Sequence, residues 1–297
     1  MRGWWQDLTD LVLPAECGGC GRPRTVLCPR CRAALSRDAP RRVRPVPEPP
    51  GLPAVYAAAP YADAVRATLL AHKERGALAL ARPLGTALAG AVRAGLPAGV
   101  AGAGTGTRAG TRAGAADAGL PWAVGGAVLL VSVPSARRAV RARGHDPVRR
   151  ITLAAAGELR RSGTPARALA VLRQRRPVAD QSGLNSRQRL DNLAGALQVA
   201  AGGAGLLLGG PVVLVDDLMT TGASLAEAAR AVKAAVYAAR TREGMGERKS
   251  GARQQATQKE GNSVYDALEI GGVYGAGGVI CAAVVASSPD SFEMNRN

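Results

Sequence analysis

Residues 212–224 read VVLVDDLMTTGAS. An apolar run, Val212 to Val215, stops at two adjacent carboxylates, Asp216 and Asp217. The chain then crosses a small hydroxyl-rich loop, Met219-Thr220-Thr221-Gly222-Ala223-Ser224. A short apolar run with polar bounds reads as a buried strand. The segment after the loop carries Leu225, Ala229, Val232 and Val236 at helical spacing and reads as a helix starting at Ser224. Strand, turn and helix in that order set the acids and the loop at the carboxyl end of a sheet strand, where open α/β sheets bind ligands.

The loop suits a phosphate. Backbone N–H groups at a helix start and the positive helix end favour anions. Thr220, Thr221 and Ser224 add hydroxyl donors, and Gly222 allows close backbone approach. Two carboxylates beside such a loop repel a phosphate, so they should face sugar hydroxyls or a Mg2+. A phosphorylated sugar meets both demands. The loop is neither GxxxxGK[ST] nor GxGxxG. A capped helix after a polar turn accounts for Ser224 alone and leaves the acid pair unexplained.

Outward from this stretch, strand and helix patterns alternate. AVYAAAPY (54–61), AVLLVSVP (127–134), RALAVLRQ (167–174) and GGVICAAVVAS (277–287) read as strands. Residues 62–92, interrupted at Gly76, and residues 147–161 read as helices. Residues 175–197 read as a polar loop leading into a helix. Alternation of this kind predicts an α/β fold, an open, mostly parallel sheet flanked by helices. Two stretches, 94–121 and 238–263, lack an apolar period and read as disordered insertions. The Pro- and Arg-rich stretch 37–53 reads as a linker.

Near the N-terminus the sequence CGGCGRPRTVLCPRC carries Cys17, Cys20, Cys28 and Cys31. Each C-x-x-C lets two thiolates converge on one ion, and two such knuckles close a tetrahedral site of the kind that holds structural Zn2+. Disulfides would need an oxidising compartment, and the first residues, which carry Asp7, Asp10 and Glu16, do not read as an export signal. Residues 1–50 are thus expected to hold an N-terminal helix, the four-cysteine ribbon and the linker, with residues 51–297 as the main domain. Cys281 lies in an apolar run and reads as a core residue.

The formal charge is +17, and of the 39 basic residues only Lys73, Lys233, Lys249 and Lys259 are lysines. An arginine surplus fits a phosphate or nucleic-acid partner, or a compositional bias toward Arg, Ala and Gly. The Gly-rich apolar run 271–286 reads as a buried strand and not a membrane span, so the chain is expected to be soluble and cytoplasmic.

VVLVDDLMTTGAS resembles the phosphoribosyl pyrophosphate signature of type I phosphoribosyltransferases. Together with the cysteine knuckles, VSVPSARRAVRARGHD, YADAVRATLLAHKERG and residues 175–197, it makes the chain similar to the ComF family of competence-associated phosphoribosyltransferase homologues. The resemblance covers most of the chain outside 94–121 and 238–270. It implies that Asp216 and Asp217 clamp the ribose hydroxyls and that Thr220 to Ser224 wrap the 5′-phosphate. It implies that Pro134, Ser135, Ala136 and Arg137 meet the pyrophosphate, with Lys73 and Arg173 as further contacts. Residues 176–192 would be the hood that closes over the substrate. The implied chemistry is displacement of pyrophosphate at the anomeric carbon by a nucleobase or related acceptor, assisted by Mg2+, with a link to DNA uptake and nucleotide salvage. A sensing role without turnover, or a non-catalytic protein that binds single-stranded DNA or uptake proteins through the ribbon and basic surface, is the alternative. The family usually carries an aromatic residue and an Asn where this chain has His145 and Asp146. His145 itself reads as an acid–base group, a phosphate contact or a surface residue.

Overall fold

The computed structural model describes residues 16–97, 126–178, 185–251 and 278–293. The expected N-terminal helix, residues 98–121 of the first insertion, residues 179–184 of the hood and residues 252–263 of the second insertion lie outside them.

In chain order the elements are α1 (Pro29–Ala34), β1 (Arg41–Val43), β2 (Val55–Pro60), α2 (Asp63–Lys73), a 3-10 turn (Leu78–Leu80) and α3 (Ala81–Gly95). Next come β3 (Val128–Ser132), α4 (Arg137–Arg143), α5 (Pro147–Arg161), β4 (Ala166–Leu169) and β5 (Leu172–Gln174). They are followed by α6 (Ser186–Leu193), β6 (Leu197–Val199), α7 (Gly203–Leu207), β7 (Val212–Met219), α8 (Ala223–Gly251), β8 (Val279–Ser287) and α9 (Pro289–Glu293).

Six strands form one sheet in the order β1-β2-β8-β7-β3-β4, antiparallel only between β1 and β2. β7 and β8 sit inside it and are covered on both faces, so Val212 to Val215 and Ala282 to Ala286 are all buried. Burial on both sides is why these strands read as continuous apolar runs and not as alternating ones. One face packs on α2, α3 and α5, the other on α8, α7 and the β5–β6 pair. With aromatics at 3%, close approach of small residues fills the layers. A Cβ on Gly85 would lie 2.5 Å from Ala154 Cβ, so α3 and α5 meet almost backbone to backbone.

The cysteine segment does not stand apart from this core. Cys17, Leu27, Cys28, Cys31 and Leu35 belong to the same apolar cluster as Leu69, Leu80 and Leu84.

Several expectations are corrected. The stretch 37–53 is not only a linker: Arg41–Val43 pairs with Val55–Ala57 and forms the sheet's edge. RALAVLRQ is two strands, since the chain leaves the main sheet after Leu169 and Leu172–Gln174 pairs antiparallel with β6. The helix after the hydroxyl loop begins at Ala223, one residue before Ser224, and continues through Gly251 into the stretch expected to be disordered. Residues 238–243, Ala-Ala-Arg-Thr-Arg-Glu, are mostly good helix formers that extend a helix already anchored by its apolar first half.

The topology locates a crevice. From β3 the chain crosses by α5 to β4 on one side; from β7 it crosses by α8 to β8 on the other. Adjacent strands whose connections diverge leave a gap at their carboxyl ends, the switch point at which such sheets bind ligands. β3 and β7 are those strands, paired through Ser132 and Val215.

Candidate functional site

At the end of β7 the two acids part company. Residues alternate faces along a strand, and Asp217 follows Val213 and Val215 toward α2. There Lys73 Nζ donates to Asp217 Oδ2 at 3.0 Å. Asp217 has a side chain only 7% exposed, and Lys73 closes over it at 34%. The neighbouring Asp217 charge raises the Lys73 ammonium above its ordinary value, outweighing the pull of burial in the other direction. Asp216, on the opposite face, accepts a hydrogen bond from the Asp217 N–H at 2.8 Å through Oδ1. Burial pushes the Asp216 carboxyl well above the usual carboxylate range; the Asp217 charge adds to this and Lys73 opposes it. A doubled acid in sequence is therefore one ion-paired carboxylate and one reluctant to ionise.

The loop that follows needs its glycine. Gly222 has φ +75°, and a Cβ there would sit 3.0 Å from Leu52 Cδ2 and 3.3 Å from Pro45 Cγ. Its carbonyl accepts from the Ala226 N–H at 2.9 Å, which starts α8 and places Ser224 in the first turn instead of at the cap. Among the described residues no acceptor takes the N–H groups of Thr220 to Ala223, so they are available to an anion.

A second layer leans on this loop. α6 opens with a capping box, Asn185 and Gln188 exchanging side-chain and backbone bonds at 2.9 Å each. Arg189 then reaches Thr220, its Nη1 donating to Thr220 Oγ1 at 3.2 Å. The β5–β6 pair flanks α6, and Glu227 of α8 holds it by accepting the Leu197 N–H at 2.9 Å. Arg230 donates to the Leu197 carbonyl at 3.1 Å and to both Glu227 oxygens. Burial raises the Glu227 carboxyl, but the Arg230 and Leu197 bonds outweigh it, and the net effect is downward. The sequence reading missed Arg189, Glu227 and Arg230. The Asn-x-x-Gln capping pattern was visible in the sequence; the grip on Leu197 had no local signal.

β3 delivers the other half of the crevice. Pro134, Ser135 and Arg137 line a cavity of about 400 Å³ whose far wall includes Arg173. The structure thus brings four of the expected pyrophosphate residues together. Ala136 does not line the cavity, although it precedes α4, and Lys73 is committed to Asp217.

His145 is neither a surface residue nor a phosphate contact. It is buried, with Nε2 3.2 Å from the His72 carbonyl and Nδ1 3.1 Å from that of Arg143. The His72 ring lies 5.8 Å away, and burial pulls its pKa down. Just past α2, its C-cap Glu74 takes two bonds from Arg143 at 2.9 Å each. His72, Lys73 and Glu74 thus tie the end of α2 to α5, β7 and α4 in turn.

The four cysteine sulfurs lie within 4.8 Å of one another, with Cys17, Cys28 and Cys31 buried and Cys20 exposed. A tetrahedral zinc with bonds of about 2.3 Å spaces its sulfurs about 3.8 Å apart, so the cluster fits such an ion. Backbone N–H groups point at the sulfurs, Cys28 N–H to Cys17 Sγ at 3.3 Å and Cys31 N–H to Cys28 Sγ at 3.5 Å. Burial opposes ionisation of Cys17, but the backbone N–H groups of Cys28, Gly19 and Cys20 outweigh it and lower its pKa to about 6. Such a site can hold a metal ion.

Fold and site together define an α/β protein with a mostly parallel sheet, a polar crevice at the β3–β7 switch point and a four-cysteine cluster joined to its core. No protein-family model matches the chain, and no curated protein matches it. Among the described residues no helix is long and apolar enough to cross a membrane.

Proposed function

We propose that the protein binds Mg2+-phosphoribosyl pyrophosphate and transfers, or senses, its phosphoribosyl group, with a type I phosphoribosyltransferase-like fold and a kinship to the ComF family. One observation carries the reading: the acid pair with its phosphate-type loop, and the Pro134–Arg137 turn, end the two neighbouring strands whose connections diverge. Thr220 to Ser224 take the 5′-phosphate on backbone N–H groups, Asp216 and Asp217 take the ribose hydroxyls, and Arg137 and Arg173 take the pyrophosphate. Mg2+ supplies charge neutralisation of the leaving pyrophosphate when bound. The hood, residues 176–192, covers the phosphate loop through Arg189 and excludes water. The four cysteines hold a structural Zn2+.

Calorimetry with Mg2+-phosphoribosyl pyrophosphate tests the reading. Wild-type protein is expected to bind it, and an Asp216→Asn/Asp217→Asn variant to lose at least tenfold in affinity. Equal affinity in a correctly folded variant, or no binding by wild type, removes the proposal.

A further inference from the structure

The cavity between α4 and β5 holds more charge than a pyrophosphate reading uses. Arg137, Val140 and Arg141 fall at i, i+3 and i+4 of α4 and so share a face. That face lines the cavity, with Leu172 and Arg173 opposite. Three guanidinium groups thus stand against one carboxylate, Asp146, whose Oδ1 is already committed to the Arg149 N–H at 3.1 Å. Among the described residues none of the three arginines has an ion-pair partner. Between them the lining is apolar, from Pro134, Val140, Ala170 and Leu172. The volume, about 400 Å³, falls in the range of small-molecule sites, roughly 300–1,000 Å³.

With Arg137 and Arg173 assigned to pyrophosphate, Arg141 over the apolar floor suits an organic anion, since an inorganic one gains nothing from the floor and a neutral ring leaves Arg141 unanswered. We infer that this cavity binds a small ring compound bearing a carboxylate, held by Arg141 beside the pyrophosphate subsite. Its role as acceptor rests on the phosphoribosyl reading; its binding does not. In the transfer a nitrogen of the compound, in the ring or attached to it, bonds to the ribose anomeric carbon as the bond from that carbon to the pyrophosphate oxygen breaks. The oxygen leaves with the bonding pair, and the nitrogen's proton, where it carries one, passes to solvent.

Calorimetry on the full chain with three matched pairs, orotate and uracil, nicotinate and nicotinamide, anthranilate and aniline, tests the inference. At least one acid is expected to bind tenfold or more tightly than its uncharged twin, and still to bind with pyrophosphate present at saturation. Arg141→Ala should erase most of that preference without lowering the melting temperature, and Arg141→Lys should retain part of it. No preference in any pair, a preference untouched by Arg141→Ala, or an acid displaced by pyrophosphate each overturns the inference. If ribose 5-phosphate fails to bind while the acid preference stands, the phosphoribosyl reading falls and this one survives; the reverse result sinks only this one.

Discussion

Lys73 and Asp217 lie 144 residues apart in sequence and 3.0 Å apart in space. The carboxylate is nearly enclosed and the ammonium about one-third exposed, so the pair lies between surface bridges worth little and buried ones whose rupture is costly. Lys73→Met strands a buried charge and should cost about 1–2 kcal/mol. The Lys73 pKa is raised above 10.5 in the fold, so the pair's contribution is complete below pH 10.5 and is lost as pH climbs through the higher folded value. Melting temperatures of wild type and Lys73→Met should therefore converge in strong alkali; a gap that persists there would contradict the pairing.

Asp216 runs the opposite way. An acid whose pKa rises on folding weakens the fold once it ionises, so its cost appears as pH rises above the ordinary 3.8. Asp216→Asn keeps the oxygen that accepts from Asp217 N–H. It should raise the melting temperature at pH 7 by about 2–4 °C, the effect of about 1 kcal/mol in a chain of this size. The gain should vanish below pH 3.8, while ribose 5-phosphate binding falls. A scan of melting temperature against pH decides this.

Gly222→Ala forces a side chain into the left-handed region and against Leu52 and Pro45. The backbone cost is about 1–2 kcal/mol, since the Leu52 contact is the movable end of a flexible side chain. Chemical denaturation should report that loss, accompanied by at least tenfold weaker ribose 5-phosphate binding; unchanged binding would free the loop of its assigned role.

Glu227→Ala leaves the Leu197 N–H without its acceptor, for a loss of about 1–3 kcal/mol. The Glu227 pKa lies below 4.5, so this contribution is present above pH 4.5 and fades as pH falls through the lower folded value. Hydrogen exchange should show β6 opening faster in Glu227→Ala at pH 7. Equal exchange rates would mean that β6 is held elsewhere.

Metal analysis should return about one zinc per chain, and Cys17→Ser should lower both that ratio and the melting temperature. Because the knuckles share the core with Leu69, Leu80 and Leu84, chelation should shift one cooperative transition instead of adding a second. Two separated transitions would contradict the shared core.

The acid pair and the loop were legible because strand, turn and helix follow one another within Val212 to Val236, where periodicity and turn chemistry speak locally. The short elements were not. Arg41–Val43 and Leu172–Gln174 are too brief for an alternation to register, and each becomes a strand only through a partner fixed elsewhere, Val55–Ala57 and Leu197–Val199. The pairing of Lys73 with Asp217 was not legible because the two lie far apart along the chain. His145 read as an acid–base group, a phosphate contact or a surface residue because nothing in its neighbourhood announces the carbonyls of His72 and Arg143. Glu227 and Arg230 carried no local signal of the strand they clasp.

One helix joins the thiols to the acids. Gly18 and Gly19 lie against α2, where a Cβ added to them would stand 3.4 Å from Ala71 and 3.1 Å from Thr68, and α2 ends two residues past Ala71, at Lys73. At 1.5 Å per residue its 11 residues make a strut about 16 Å long. Removal of a metal held by the knuckles should therefore slacken this strut, with Asp217 the first charge to lose its brace. A chelator should be felt at the crevice as weakened ligand affinity before the sheet itself gives way.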